Sequence, residues 1–155
     1  MKQKSKFLSI LALSLALLSA CNSSKAITYT TPEKGISQEE LTKQVDMEPS
    51  KIENQDDAEM YVYNECNYYD YTGEMTYYFA QDMLSLSRWE SIAESEQAGK
   101  DMYQNILNKI KEENGEGTLS EDGNSCVWDT DKKTITLGYV HDEEGYKVYV
   151  LESGK

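Results

Sequence analysis

The sequence is poor in the side chains that most enzyme sites require. Its 155 residues include one histidine and three cysteines. A serine-histidine-acid triad would need His141, but there is no G-x-S-x-G nucleophile turn, and Asp142 would point to the opposite face of a strand. One histidine and distant cysteines serve zinc poorly, and the cysteines form no C-x-x-C redox pair. We therefore expect no cofactor and no metal.

Positive charge is also scarce. Lysine and arginine together number 15 against 28 aspartates and glutamates, so the formal net charge is −13. A strongly acidic surface repels phosphate backbones and anionic headgroups. The neighbouring carboxylates do not match the D-x-[DN]-x-[DN]-G loop that binds calcium. The composition therefore argues against nucleic acid as a partner.

The one long apolar run of the chain lies near its N-terminus. Residues 1–6 carry three lysines, residues 7–18 are almost wholly apolar, and Ser19 and Ala20 have small side chains. This three-part layout is typical of an export signal with its cleavage site after the small residues. The apolar run is shorter than the roughly 20 residues that a transmembrane helix needs. We therefore predict a signal peptide at residues 1–20.

The residues that end this segment, Leu18-Ser19-Ala20-Cys21, resemble the lipobox of bacterial lipoproteins. The resemblance implies that cleavage precedes Cys21 and that lipid, such as palmitate, is attached to its thiol. Two or more acyl chains on one cysteine anchor a protein stably. We therefore expect a lipid-anchored protein on the extracytoplasmic side of a bacterial membrane. The alternatives are an ordinary secretory signal with an incidental cysteine, and a helix packed in a soluble core.

Prolines are few, and both precede the part of the chain with regular apolar patterning. Pro32 and Pro49 lie within residues 21–57, where polar residues are frequent and apolar periodicity is weak. Such a composition buries too little surface to offset the entropy of ordering. We predict a flexible tether over residues 21–57, with an r.m.s. span of roughly 30–35 Å. Within it, the capping-box pattern Ser37-Gln38-Glu39-Glu40 predicts a short helix that ends near Val45.

Residues 58–155 have the patterning of a small folded domain. Alternating bulky side chains predict a three-stranded meander with turns at Thr72-Gly73 and Gln81-Asp82. An apolar stripe at helical spacing predicts an amphipathic helix over residues 95–114. Three more strands are predicted at residues 125–129, 134–141 and 146–151. The expected fold is α+β, a single antiparallel sheet of about six strands (β-β-β-α-β-β-β) with one helix packed on one face.

The order of these elements is loosely similar to that of the small YehR-like lipoproteins. They share a tyrosine-bearing strand, a strand-turn-strand such as MTYYFAQDMLSLSRWES, one amphipathic helix and closing strands. The similarity covers about Tyr61 to Leu151. It implies a fold and no activity.

Cysteines and tyrosines supply the candidate site residues of the domain. An exported protein folds where disulfides persist, so Cys66 and Cys126 are predicted to form a bridge; two free buried thiols are the alternative. Tyr69, Tyr71 and Tyr78 are predicted to form a face that binds a protein, peptide or glycan. Ordinary cross-strand aromatic pairing is the alternative for these rings. The sequence thus favours a binding module over a small cell-envelope hydrolase or other enzyme.

Overall fold

The computed structural model of the protein describes residues 27–28, 34–55 and 57–155. The predicted signal peptide and Cys21 lie outside these residues. The described chain forms nine strands and two helices. In chain order they are β1 (Ile27–Thr28), α1 (Gln38–Val45), β2 (Lys51–Gln55), β3 (Ala58–Tyr68), β4 (Tyr71–Ala80), β5 (Met83–Ala93), α2 (Glu96–Asn114), β6 (Thr118–Leu119), β7 (Ser125–Asp129), β8 (Lys133–Asp142) and β9 (Gly145–Gly154).

All nine strands belong to one sheet. Eight of them follow the order β1-β3-β4-β5-β9-β8-β7-β6, and β2 also pairs with β3. Every pairing is antiparallel except that of β1 with β3. The predicted α+β class with one antiparallel sheet is therefore confirmed, whereas the expected number of about six strands is too low. The three additional strands are short edge strands, and β2 is polar and largely exposed, so no apolar alternation marks them.

Helix α2 forms where the apolar stripe predicts it. The Ser95 side chain accepts a hydrogen bond from the Ala98 amide, and Gly115 ends the helix with a φ of 81°. The stripe, which includes Met102, Ile106 and Ile110, is buried. The helix packs against β5, β8 and β9, and so covers the middle of one sheet face.

The segment predicted as a tether is largely part of the folded domain. The capping box at Ser37 and Glu40 is formed, and helix α1 follows it as predicted. Leu41 joins the core with 1% of its surface exposed. Strand β2 pairs with β3 along its whole length. The predicted domain boundary at residue 58 is therefore too late, because one buried leucine and a strand ladder order a segment whose composition is polar.

The first turn of the meander lies three residues earlier than Thr72-Gly73. The chain reverses at Tyr69-Asp70, where Tyr69 has a φ of 49°, and Gly73 lies inside β4. A Cβ atom at Gly73 would lie 2.2 Å from the Glu90 carbonyl oxygen and 2.8 Å from the Trp89 ring. The indole Nε1 of Trp89 donates to the Cys66 carbonyl at 2.9 Å. Gly73 therefore leaves room for a buried tryptophan and does not form a turn.

Replacing Gly73 by alanine tests this packing. Because the added methyl group would collide with backbone and with Trp89, we expect Gly73→Ala to lower the free energy of unfolding by about 1–3 kcal/mol. The neighbouring exposed Glu74→Ala serves as the control and should change it by less than about 0.5 kcal/mol. Urea unfolding followed by tryptophan fluorescence measures both. Equal midpoints for the two variants would contradict the close approach.

Candidate functional site

The three predicted tyrosines do not lie on one face of the sheet. Tyr78 is opposite Leu86 on the face that carries neither helix. Tyr71 points to the helix side, where its hydroxyl accepts a hydrogen bond from the Asn105 amide at 2.7 Å. Tyr69 is partly buried at the turn, and its ring centroid lies 4.8 Å from that of Tyr68. These rings therefore do not form a single platform.

The two cysteines of the domain are free and buried. Cys66 lies on β3 and Cys126 on β7, and four strands separate them in the sheet. The two cysteines are thus five inter-strand spacings apart, and at about 4.8 Å for each spacing they lie roughly 24 Å apart across the sheet. The Cα atoms of a disulfide lie within about 7 Å of each other. The structure does not contain the predicted bridge. Burial raises the pKa of the Cys66 thiol to about 11, so the thiol is protonated at neutral pH.

On the helix-free face, the charged groups near the centre pair with one another. Arg88 forms an ion pair with Glu90 and lies 5.8 Å above the ring of Tyr149. Tyr149 in turn covers Gly138 on the neighbouring strand β8. These contacts leave a mixed, half-buried surface with its central arginine already engaged.

A cavity of about 570 Å³ opens where strands β5 and β9 diverge. Their pairing ends at Ser87 and Glu152, although β9 continues alongside β8 as far as Gly154. Beyond this point β5 bonds to another segment: the Gly35 amide donates to the Leu84 carbonyl at 3.1 Å, and the Leu84 amide donates to Ile36 at 2.9 Å. We call this cavity the β5–β9 cleft.

The lining of the β5–β9 cleft is rich in lysine. It combines four lysines with two carboxylates, two leucines, two serines and a glycine. These residues are Lys34, Lys132, Lys133, Lys155, Asp131, Glu152, Leu84, Leu86, Ser85, Ser87 and Gly154. In a chain with a net charge of −13, this is a local excess of positive charge.

A buried ion pair lines the inner wall of the cleft. The Glu152 carboxylate lies 2.8 Å from the Lys133 ammonium, and the two side chains are 4% and 25% exposed. A carboxylate is costly to bury unless it is paired, so the ammonium group of Lys133 offsets the cost of burying Glu152. Burial, with the nearby charge of Glu152, raises the pKa of the phenols of Tyr68 and Tyr77.

His141 lies far from this cleft. It is exposed and stacks on Tyr146 with 4.3 Å between ring centroids. It follows Lys133 on the same strand by eight residues, or about 26 Å. The only histidine therefore lies at the opposite end of β8 from the lysines.

Sequence patterns do not reveal the β5–β9 cleft. Its four lysines come from three separate segments, and only the adjacent Lys132 and Lys133 stand out in the sequence. A polar hairpin between two strands is an ordinary turn signal. The convergence of the other two lysines depends on where β9 ends and on how residues 34–36 cross β5.

Comparison of the chain with protein-family models, curated proteins and solved structures finds no match. The resemblance of residues 18–21 to a lipobox and the similarity to YehR-like lipoproteins therefore stay predictions. Among the described residues, no helix is long and apolar enough to cross a membrane.

The state of the two thiols can be measured directly. Because Cys66 and Cys126 are buried and unpaired, we expect both to resist iodoacetamide in the native protein and to react after denaturation without a reductant. Peptide mass analysis under non-reducing conditions reports the two sites separately. A Cys66–Cys126 linked peptide would contradict the structure and restore the predicted bridge.

Proposed function

We propose that this protein is a lipid-anchored binding module of the bacterial cell envelope that holds a small ligand in the β5–β9 cleft. The basic end, apolar run and Leu18-Ser19-Ala20-Cys21 support export and lipid attachment at Cys21. The ligand site is supported by the cleft itself. Its volume of about 570 Å³ lies within the usual range of roughly 300–1,000 Å³ for small-molecule sites.

The folded domain would be held close to the membrane. Ile27 pairs with Cys66 in the sheet, so residues 22–26 alone separate Cys21 from the first strand. Six residue steps reach at most about 20 Å. This reach is shorter than the span of a tether that extended to residue 57. A lipid on Cys21 would therefore keep the domain beside the bilayer surface.

Binding accounts for the cleft better than catalysis does. Two serines line it, Ser85 and Ser87, but the histidine that a serine nucleophile would need lies at the far end of β8. The cleft combines leucine side chains with a few charged groups, which is the composition of a ligand pocket. A small envelope hydrolase therefore has no specific geometric support.

Replacing Cys21 tests the lipid anchor. We expect Cys21→Ala to leave an unprocessed chain that no longer incorporates a fatty-acid probe in cells, because the acylated thiol is removed. Cys126→Ala is the matched control and should label normally. Labelling that persists in Cys21→Ala would refute the anchor.

Filling the cleft tests the ligand site. A ligand present at 100 times its Kd stabilises a protein by about 2.7 kcal/mol, or several degrees in Tm. A compound found by thermal-shift screening should raise the Tm of the wild type and of Ile92→Trp, whose side chain is exposed on the other half of β5. It should fail to do so with Leu86→Trp, because the larger ring occupies the cleft. Equal shifts in both variants would exclude the cleft as the site.

A further inference from the structure

We infer that the β5–β9 cleft binds the phosphate group of a small phosphomonoester, with Lys34 and Lys132 as the main ligands to the anion. The inference rests on the proposed function, since it names the chemistry of the same cleft. It rests on the pattern of ion pairs, on the charge balance of the lining and on the kind of cation present.

The pattern of ion pairs singles out two lysines. Within the described part of the chain, nine basic side chains pair with carboxylates, and two, Lys34 and Lys132, form no ion pair. The nine are Lys43, Lys51, Arg88, Lys100, Lys109, Lys111, Lys133, Lys147 and Lys155. Both lysines without an ion pair line the same cavity. In a chain with nearly twice as many acids as bases, unpaired ammonium groups that converge indicate a site for an external anion.

The charge balance of the cleft favours a doubly charged ligand. Four ammonium groups line the cleft with two carboxylates, Asp131 and Glu152. Lys133 is neutralised by Glu152, and Lys155 pairs with Asp129, which is exposed and lies outside the lining. A phosphomonoester carries about −1.5 to −2 charges at pH 7. The Debye length is about 8 Å at physiological ionic strength, so charges within the cleft outweigh the net charge of the distant surface.

Two of the lysines are held in place by the backbone. The Lys155 amide donates to the Lys132 carbonyl at 3.0 Å, which ties the end of the chain to the turn before β8. Lys155 also pairs with Asp129 at 2.7 Å, but both side chains are exposed and such pairs contribute little. Lys155 can therefore turn to an anion in the cleft at small cost.

Close packing positions Lys34 as well. A Cβ atom at Gly154 would lie 2.3 Å from the Cβ of Lys34, so the glycine lets Lys34 lie directly against the end of β9. The Gly35 amide then fixes the neighbouring backbone to Leu84. The two unpaired lysines thus approach the cleft from different walls.

The kind of cation points to phosphate over a planar carboxylate. Lysine is a compact point charge with three rotatable donors, whereas the planar fork of arginine suits two-point binding of a carboxylate. The only arginine of the chain, Arg88, is engaged with Glu90 and Tyr149. The cleft is larger than a phosphate group needs, and Leu84 and Leu86 offer an apolar wall to an organic substituent.

Soluble probes measure this binding directly. The mature lipidated protein, which begins at Cys21, is kept in a neutral detergent and titrated with inorganic phosphate, butyl phosphate and butanol by calorimetry. We expect butyl phosphate to bind at least about tenfold more tightly than inorganic phosphate, because burial of its methylene groups adds to the ionic contacts. Butanol should not bind measurably. No binding of either phosphate would overturn the inference.

Matched variants assign the ligands. The double variant Lys34→Gln/Lys132→Gln should weaken butyl phosphate binding at least about tenfold, since charge-assisted hydrogen bonds to the anion are lost. Lys43→Gln/Lys109→Gln removes two exposed lysines of the helices and should bind as the wild type does. Lys34→Arg/Lys132→Arg keeps the charges and should stay within about threefold. Equal loss in all three variants, or none in the first, would refute the assignment.

A phosphomonoester in this cleft could belong to a soluble ester or to the headgroup of a phosphatidic acid, since both offer the same chemistry. Short-chain phosphatidic acid below its micelle concentration, compared with short-chain phosphatidylcholine, distinguishes them. Stronger binding of phosphatidic acid than of butyl phosphate assigns the source to the headgroup, and the reverse order assigns it to a soluble ester. If neither binds while another compound is still blocked by Leu86→Trp, the phosphate inference fails and the proposed binding function stands.

Discussion

The pairing of β5 with β9 is the contact on which the rest of the structure depends. Seven residue pairs, from Ser87–Glu152 to Ala93–Tyr146, join the strands that precede α2 to those that follow it. Helix α2 packs over this junction against β5, β8 and β9, and Trp89 and Val150 are buried beneath it. Where the junction ends, the two strands separate and the β5–β9 cleft begins. The same ladder therefore holds the domain together and sets the position of the β5–β9 cleft.

The protein as a whole is acidic, whereas the lining of the β5–β9 cleft has an excess of positive charge. Most basic side chains of the described residues form ion pairs with neighbouring carboxylates, and the exposed pairs contribute little to stability. The cleft departs from this arrangement, because Glu152 is buried with Lys133 while Lys34 and Lys132 keep their charges unpaired among the described residues. Local charges within a Debye length decide what such a cleft attracts.

Local patterns predicted the elements whose signals are local. The four-residue spacing of Ile106 and Ile110 identified helix α2. The capping box at Ser37 identified the start of helix α1. The same reasoning failed at Gly73, because a glycine that accommodates Trp89 from a neighbouring strand has the same sequence signal as a turn glycine. It also failed for β2, whose polar residues are ordered by the ladder with β3 rather than by an apolar face of their own.

The sequence by itself determined the acidic charge and the α+β class, since these follow from composition and short periodic patterns. The export signal and lipid attachment at Cys21 stay predictions from the same kind of local pattern. Only the tertiary structure decided that residues 34–55 belong to the domain, that Tyr71 and Tyr78 face opposite sides, and that four lysines from three segments share one cavity. The physical reason is that these features depend on strand order and register. Both are set by contacts between residues distant in the chain, and no local pattern records them.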